Sequence, residues 1–163
     1  MKQILQHLGN GETILADVPC PRRASGSVLS ETTKTLISIG TEKMLIEFGK
    51  GSWLTKARSQ PDKVKQVIQK IKTDGLWSTV DAVRAKLDTP ITLGYCNVGR
   101  IVESDPASRY HVGDRIISNG PHAEMVAVPE NLIAKIPEDV PDESAAFTAV
   151  SYTHLTLPTI CSV

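Results

Sequence analysis

The sequence predicts a mainly β domain that is interrupted by an α-helical insertion. Short runs rich in Val, Ile and Thr alternate with Gly, Pro, Asn and Asp turn signals, both before Gly40 and after Pro90. Between these two regions the apolar residues change to a helical period. The 163 residues fit one domain, and many short strands separated by turns favour an antiparallel barrel or sandwich over alternating βαβ units.

Three strands are predicted in the N-terminal region. Residues 2–6 and 13–18 are short extended runs on either side of a Gly-Asn-Gly turn signal at residues 9–11. Residues 27–38 (SVLSETTKTLIS) are rich in the β-branched residues that suit a half-buried strand. We therefore expect two short strands followed by a longer one that ends at Gly40.

Two amphipathic helices are predicted in the middle of the chain. Pro61 suits the first turn of the first helix, and Gly75 suits a position just past its end. A second helix is predicted from about Ser78 to Leu87, where Ser78 and Asp81 resemble a capping box. Together the two helices form a helical hairpin. The first helix has apolar residues at i, i+3, i+4 and i+7, on one face: Val64, Val67, Ile68 and Ile71.

After Pro90 the chain returns to short strands separated by turn residues. A final helix is predicted over residues 142–150 (DESAAFTAV), beginning near Asp142. The predicted strands lie near residues 97–103, 114–118 and 123–128.

Composition argues against several classes of partner. The 18 Lys and Arg residues balance the 18 Asp and Glu residues, so no net charge favours nucleic acid or an anionic membrane. No stretch approaches the roughly 20 apolar residues of a membrane helix, and the N-terminus lacks a signal-peptide pattern. Three widely spaced cysteines, Cys20, Cys96 and Cys161, argue against a disulfide framework. We expect a cytoplasmic protein that acts on a small-molecule substrate. Composition does not decide whether the chain forms a homo-oligomer.

Four ordered segments carry a resemblance to the medium-chain dehydrogenase/reductase family, the zinc-type alcohol dehydrogenases and their non-zinc relatives. The segments are residues 18–29, 93–103 (LGYCNVGRIVE), 111–116 (HVGDRI) and 122–150. The resemblance implies a GroES-like β-barrel over residues 1–150, which is the substrate half of such enzymes. It also implies hydride transfer between NAD or NADP and an alcohol or carbonyl in the complete enzyme.

A narrower resemblance, to the bi-domain oxidoreductases, lies in residues 38–80 together with GYCNVG at 94–99. In those proteins a medium-chain dehydrogenase half precedes a second half that is similar to sugar and inositol dehydrogenases. The resemblance implies a two-helix insertion at about residues 53–87, and it makes a sugar-like substrate one candidate by analogy.

The end of the chain departs from the family pattern. Residues 151–163 (SYTHLTLPTICSV) resemble a translated sequencing-adapter read-through, and we expect a non-native or disordered tail there. The sequence contains no GxGxxG, the motif that cradles a dinucleotide pyrophosphate. We therefore interpret the chain as a truncated enzyme whose cofactor-binding Rossmann domain is missing, and we expect no cofactor on this fragment.

The positions that hold catalytic zinc in this family carry unsuitable residues here. Ile39 stands in place of the ligand Cys, and Tyr95 and Cys96 stand in place of the His and Glu. An Ile has no electron pair to donate, and a phenol is a poor neutral ligand. No closely spaced cysteines for a structural zinc lie between Cys96 and Cys161. We therefore expect no metal.

Two hydroxyl groups are the first catalytic candidates. Thr41 matches the Ser or Thr that relays a proton from the substrate hydroxyl in the zinc enzymes. Without a metal, hydrogen-bond donors must stabilise the alkoxide, so Thr41 and Tyr95 are candidate catalytic residues. Glu42 and Cys96 are candidate substrate-binding residues. The alternative for Thr41 and Glu42 is that they cap a helix beginning at Lys43.

His122 is the third catalytic candidate, as an acid or base, because it lies in a turn near the loop that lines the family's cleft. The alternative is a solvated loop histidine, and for Cys96 the alternative is a small buried hydrophobe. The favoured function is the substrate domain of a zinc-independent oxidoreductase. Two other functions stay open: a non-catalytic binding or assembly module, and a zinc-dependent alcohol dehydrogenase with unusual ligands.

Overall fold

The strands and helices follow the predicted order of β, α and β regions. The computed structural model describes residues 1–52, 58 and 61–151, so part of the predicted insertion and the predicted tail at 152–163 lie outside the described residues. The strands are β1 (Lys2–Gln6), β2 (Thr13–Asp17), β3 (Ser27–Thr35), β4 (Ile91–Thr92), β5 (Asn97–Glu103), β6 (Arg115–Ser118), β7 (Met125–Pro129) and β8 (Ile133–Lys135). The helices are α1 (Ile39–Lys50), α2 (Pro61–Asp74), α3 (Leu76–Asp88) and α4 (Asp142–Ala146).

The chain divides into two compact units. The first, here called the β-sheet unit, comprises Met1–Ile4, Leu15–Ser38 and the chain from Thr92 onward. The second, the helical unit, comprises Leu5–Ile14 and Ile39–Ile91. A three-stranded sheet has the order β2-β1-β4, and the boundary between the units falls within the sequences of these strands.

The β-sheet unit is built on a five-stranded antiparallel sheet with the order β7-β3-β5-β6-β8. In the central pair, Leu29 of β3 lies opposite Glu103 of β5, and Thr35 lies opposite Asn97. The predicted mainly β fold with a helical insertion is confirmed, and where the resemblance implies a GroES-like β-barrel the sheets form a curled half-barrel of that kind. The core contains mostly aliphatic side chains, as the shortage of aromatic residues requires: Val28, Ile101, Tyr110, Ile116, Ala123, Val126, Val128 and Ile133.

A charged pair joins α4 to the sheet. Arg115 of β6 donates from Nε to Asp142 Oδ1 at 3.0 Å and from Nη2 to the Val140 carbonyl at 2.6 Å. Thr33 of β3 donates to Asp142 Oδ2 at 2.8 Å. The Arg115 guanidinium therefore holds the pKa of Asp142 below its ordinary value, and the Thr33 hydroxyl acts in the same direction.

The helical unit contains the predicted hairpin. Helices α2 and α3 contact each other and are joined by Gly75, which has a φ of 88°. The predicted capping box is wrong, because α3 begins at Leu76 and the Ser78 hydroxyl donates back to the Gly75 carbonyl at 3.2 Å. Among the described residues no helix combines the length and apolar content needed to cross a bilayer.

Several element boundaries differ from those predicted. Strand β3 ends at Thr35 rather than at residue 38, and α1 begins at Ile39. The last helix is interrupted by a turn at Phe147, beyond which residues 148–151 are helical. The sequence did not predict strands β4 and β8, which are only two and three residues long. Strands this short are too short to show an alternating apolar pattern and are defined by the strands with which they pair.

Candidate active site

The turn that precedes β5 carries two of the predicted site residues, Tyr95 and Cys96. Gly94 in this turn has a φ of 96°, a conformation that L side chains rarely adopt. A Cβ atom on Gly94 would lie 2.7 Å from both Cγ and the backbone nitrogen of His122. The structure therefore brings the turn and the third candidate, His122, into direct contact.

Backbone hydrogen bonds fix His122 on both sides. Its amide donates to the Leu93 carbonyl at 2.8 Å, and its carbonyl accepts from the Ile4 amide at 2.9 Å. The residue is only 5% exposed, so the interpretation as a solvated loop histidine is wrong. Its burial follows from the close approach that Gly94 permits, which the sequence of the loop alone does not reveal.

Asn97 is a residue near the candidate site that sequence reasoning missed. Its Nδ2 donates to the Pro121 carbonyl at 3.1 Å and to Thr32 Oγ1 at 2.9 Å, and its side chain is fully buried. These bonds tie the residue before His122 to the first residue of β5. Asn is depleted in strands, so an Asn inside a predicted buried strand was the available signal.

Tyr95 and Cys96 differ in exposure. Cys96 is completely buried, while Tyr95 is half-buried. The phenol of Tyr95 is thus the more accessible of the two groups. Both residues and His122 belong to the β-sheet unit, and the turn meets His122 through Gly94.

Thr41 and Glu42 lie in the helical unit, in the first turn of α1. The interpretation that they cap a helix beginning at Lys43 is wrong, because the helix already begins at Ile39. Thr41 is exposed, whereas Glu42 is 4% exposed. A helix start at Ile39 presents the Thr41 hydroxyl on an exposed first turn rather than in a loop.

The residues at the family's zinc positions do not fit a zinc ion. Ile39 offers no donor atom and is 77% exposed. Within residues 1–52, 58 and 61–151, no group of three or more His, Cys, Asp or Glu residues is arranged to hold a metal.

Comparison with known proteins gives a match in structure alone. No family model matches the chain, and no curated protein gives a significant match. Haloferax mediterranei glucose dehydrogenase, solved with NADP, Zn and gluconolactone, is similar with a TM-score of 0.64 at 17% identity over 98% of this chain and 45% of that one. Thermus thermophilus quinone oxidoreductase, whose structures include an NADPH complex, gives 0.58 at 20% identity over 99% of this chain and 42% of that one.

A third similar structure is Escherichia coli galactitol-1-phosphate dehydrogenase, with a TM-score of 0.60 at 17% identity over 90% of this chain and 41% of that one. All three are medium-chain dehydrogenase/reductase enzymes. The chain spans less than half the length of each. At these identities the likeness defines the fold alone, and the fold of this chain is that of the matched part of these enzymes.

Proposed function

We propose that the chain is the substrate domain of a zinc-independent medium-chain oxidoreductase. The complete enzyme would transfer a hydride between NAD or NADP and an alcohol or carbonyl. The observation that carries the proposal is the match of nearly the whole chain to part of several oxidoreductases, two of them with NADP or NADPH in their structures. The neighbours act on different compounds by name, so the substrate class stays at alcohol or carbonyl.

Hydroxyl groups would carry the proton chemistry in this proposal. Nicotinamide, when bound, supplies the hydride acceptor or donor. The Tyr95 phenol is half-buried in the β-sheet unit, where a donor can stabilise an alkoxide oxygen more strongly than in water. His122, in the same unit, would act as an acid or base, and Cys96 as a substrate-binding residue. Thr41 and Glu42, in the helical unit, keep the proton-relay and substrate-binding roles that the family resemblance implies for each of them.

The donor chemistry at the zinc positions supports zinc independence. Ile39 cannot coordinate, and Cys96 alone does not make a site, since catalytic zinc takes three protein ligands. The proposal also includes a reducing, cytoplasmic compartment, which the free thiols of Cys20 and Cys96 support.

The test is to extend the gene sequence beyond codon 150 and to assay the complete product. We expect a strand followed by GxGxxG, and turnover with NADH or NADPH in a panel of quinones, sugars and alditol phosphates that persists in EDTA. A Tyr95→Phe enzyme should lose at least about tenfold in kcat, with a smaller change in KM. A downstream sequence without a dinucleotide motif, and no turnover, would contradict the proposal.

A binding or assembly module is the second candidate. The joint of the helical hairpin exposes Leu76 at 53% and Trp77 at 79%, and large exposed apolar side chains favour a contact surface. The same gene extension separates the two candidates, because a module of this kind needs no dinucleotide motif.

A further inference from the structure

The helical unit contains a cleft that the proposed oxidoreductase chemistry does not use. It has a volume of about 580 Å³ and lies beside the turn between β1 and β2 and the C-terminal end of α3. The Gly9 amide donates to the Leu87 carbonyl at 2.9 Å, which fixes the turn against the helix end. The cleft is lined by His7, Gly9, Asn10, Arg84, Leu87 and Asp88.

Three polar side chains in this cleft are not engaged by the protein. In the part of the chain that the structure describes, the side chains of His7, Arg84 and Asp88 make no hydrogen bond or ion pair. Arg84 and Asp88 lie four residues apart on α3, which places them about 6 Å apart along the helix axis. This spacing commonly allows a salt bridge, yet the two charges remain separate and both line the cleft.

Gly9 keeps the space beside Asp88 open. A Cβ atom at this position would lie 2.8 Å from Asp88 Oδ1 and 3.3 Å from the Leu87 carbonyl oxygen. Any larger residue would therefore push into the carboxylate. Because Gly9 has no side chain, the wall of the cleft is polar there. It is made of the turn backbone, the Asp88 carboxylate and the imidazole of His7.

The charges of the lining restrict the ligand. Arg84 opposes a cation, and Asp88 opposes a dianion such as a phosphate monoester. A neutral polyol would leave the guanidinium without a carboxylate partner. The combination that satisfies all three side chains is one carboxylate, which Arg84 can bind through two hydrogen bonds, and hydroxyl groups that donate to Asp88 and His7.

We propose that this cleft binds a small open-chain hydroxy acid. The cleft volume of about 580 Å³ has room for an open chain of about four to six carbons. The carboxylate lies on Arg84, and the hydroxyl groups lie on Asp88 and His7.

The test uses the 163-residue protein, labelled with nitrogen-15, and two matched open-chain compounds. Gluconate carries a carboxylate and hydroxyls, and sorbitol has the same carbon number without the carboxylate. We expect gluconate to give saturable shifts at the amides of Gly9, Asn10 and Leu87, and sorbitol to bind at least about tenfold more weakly.

Three variants locate the contacts. Arg84→Gln and Asp88→Asn should each weaken gluconate binding at least about tenfold. Lys86→Gln removes a charge from the same exposed helix outside the cleft, and it should change the affinity less than about twofold. The proposal is overturned if gluconate gives no saturable shifts at about 20 mM, if sorbitol binds equally well, or if Lys86→Gln weakens binding as much as Arg84→Gln.

Discussion

At the scale of single residues, the contact between Gly94 and His122 can be tested with a matched pair of substitutions. Gly94→Ala should lower the free energy of unfolding by about 2–4 kcal/mol, because it adds a positive-φ penalty to a collision with His122. Gly113 has a similar φ of 92° but open space around its Cβ position, so Gly113→Ala should lower it by only about 1–2 kcal/mol. Urea unfolding of both variants measures the difference, and equal losses would contradict the packing described for His122.

The residue scale is also where the sequence was least informative about the site. The family resemblance pointed to Tyr95, Cys96 and His122, and the structure shows that the turn carrying Tyr95 and Cys96 contacts His122 through Gly94. The sequence could not show the burial of His122, because that burial depends on Gly94, a glycine 28 positions away in the chain. Asn97 was missed for the same reason, since its partner carbonyl belongs to the distant Pro121. The catalytic roles of these residues stay predictions.

At the scale of elements, the attachment of α4 to the sheet should depend on pH. Arg115 lowers the pKa of Asp142, so the pair contributes fully above the ordinary Asp pKa of about 3.9 and loses its contribution as the pH falls through the lowered value. Asp142→Asn should reduce the free energy of unfolding by about 1–3 kcal/mol at pH 7. The difference from the unsubstituted protein should shrink as the pH falls through this lowered pKa. Chemical unfolding of both proteins at a series of pH values from 7 downward measures the free-energy difference and its decrease.

The neighbouring carboxylate provides the control for this prediction. Glu143 pairs with Lys34 through side chains that are 68% and 52% exposed, and such surface pairs contribute little. Glu143→Gln should therefore leave the free energy of unfolding nearly unchanged at any pH. A loss at pH 7 as large as that of Asp142→Asn would contradict the role given to Asp142.

Long amphipathic elements were predictable, whereas short ones and boundaries were not. The apolar period in α2 and the Gly75 joint gave the hairpin correctly, because both signals are local. The start of α1 was predicted at Lys43, since Thr41 and Glu42 have the residue types of a cap. The actual start, at Ile39, puts Ser38 in the position before the helix, so a residue type preferred as an N-cap was present three residues earlier than the predicted one.

At the scale of the whole molecule, the first expectation concerns metal content. The purified chain should contain no stoichiometric zinc, because Ile39, Tyr95 and Cys96 occupy the positions of the family's ligands. Elemental analysis after dialysis against a buffer with micromolar zinc measures the content. About one tightly held zinc per chain would instead support the zinc-dependent alternative.

The second expectation concerns the dinucleotide. The 163-residue chain contains no GxGxxG, so it lacks the backbone cradle for a pyrophosphate. Titration with NADH or NADPH should give no saturable change in nicotinamide fluorescence in the micromolar range. Clear saturation would show that this chain holds a nucleotide site of another kind and would contradict this expectation.

The pairing of β3 with β5 has a consequence for folding kinetics. Thr35 meets Asn97 only after the intervening chain, which includes α1, α2 and α3, has closed into a loop. Replacing that chain by a tight turn of about eight residues would shorten the loop about eightfold. The entropic cost of closing the loop would then fall by about 2 kcal/mol. Helices of this length form within about a microsecond, well before a sheet of such high contact order. We therefore expect the helices to form first and to shorten the spacer between the central strands, so variants that weaken α2 should slow refolding of the sheet in stopped-flow measurements.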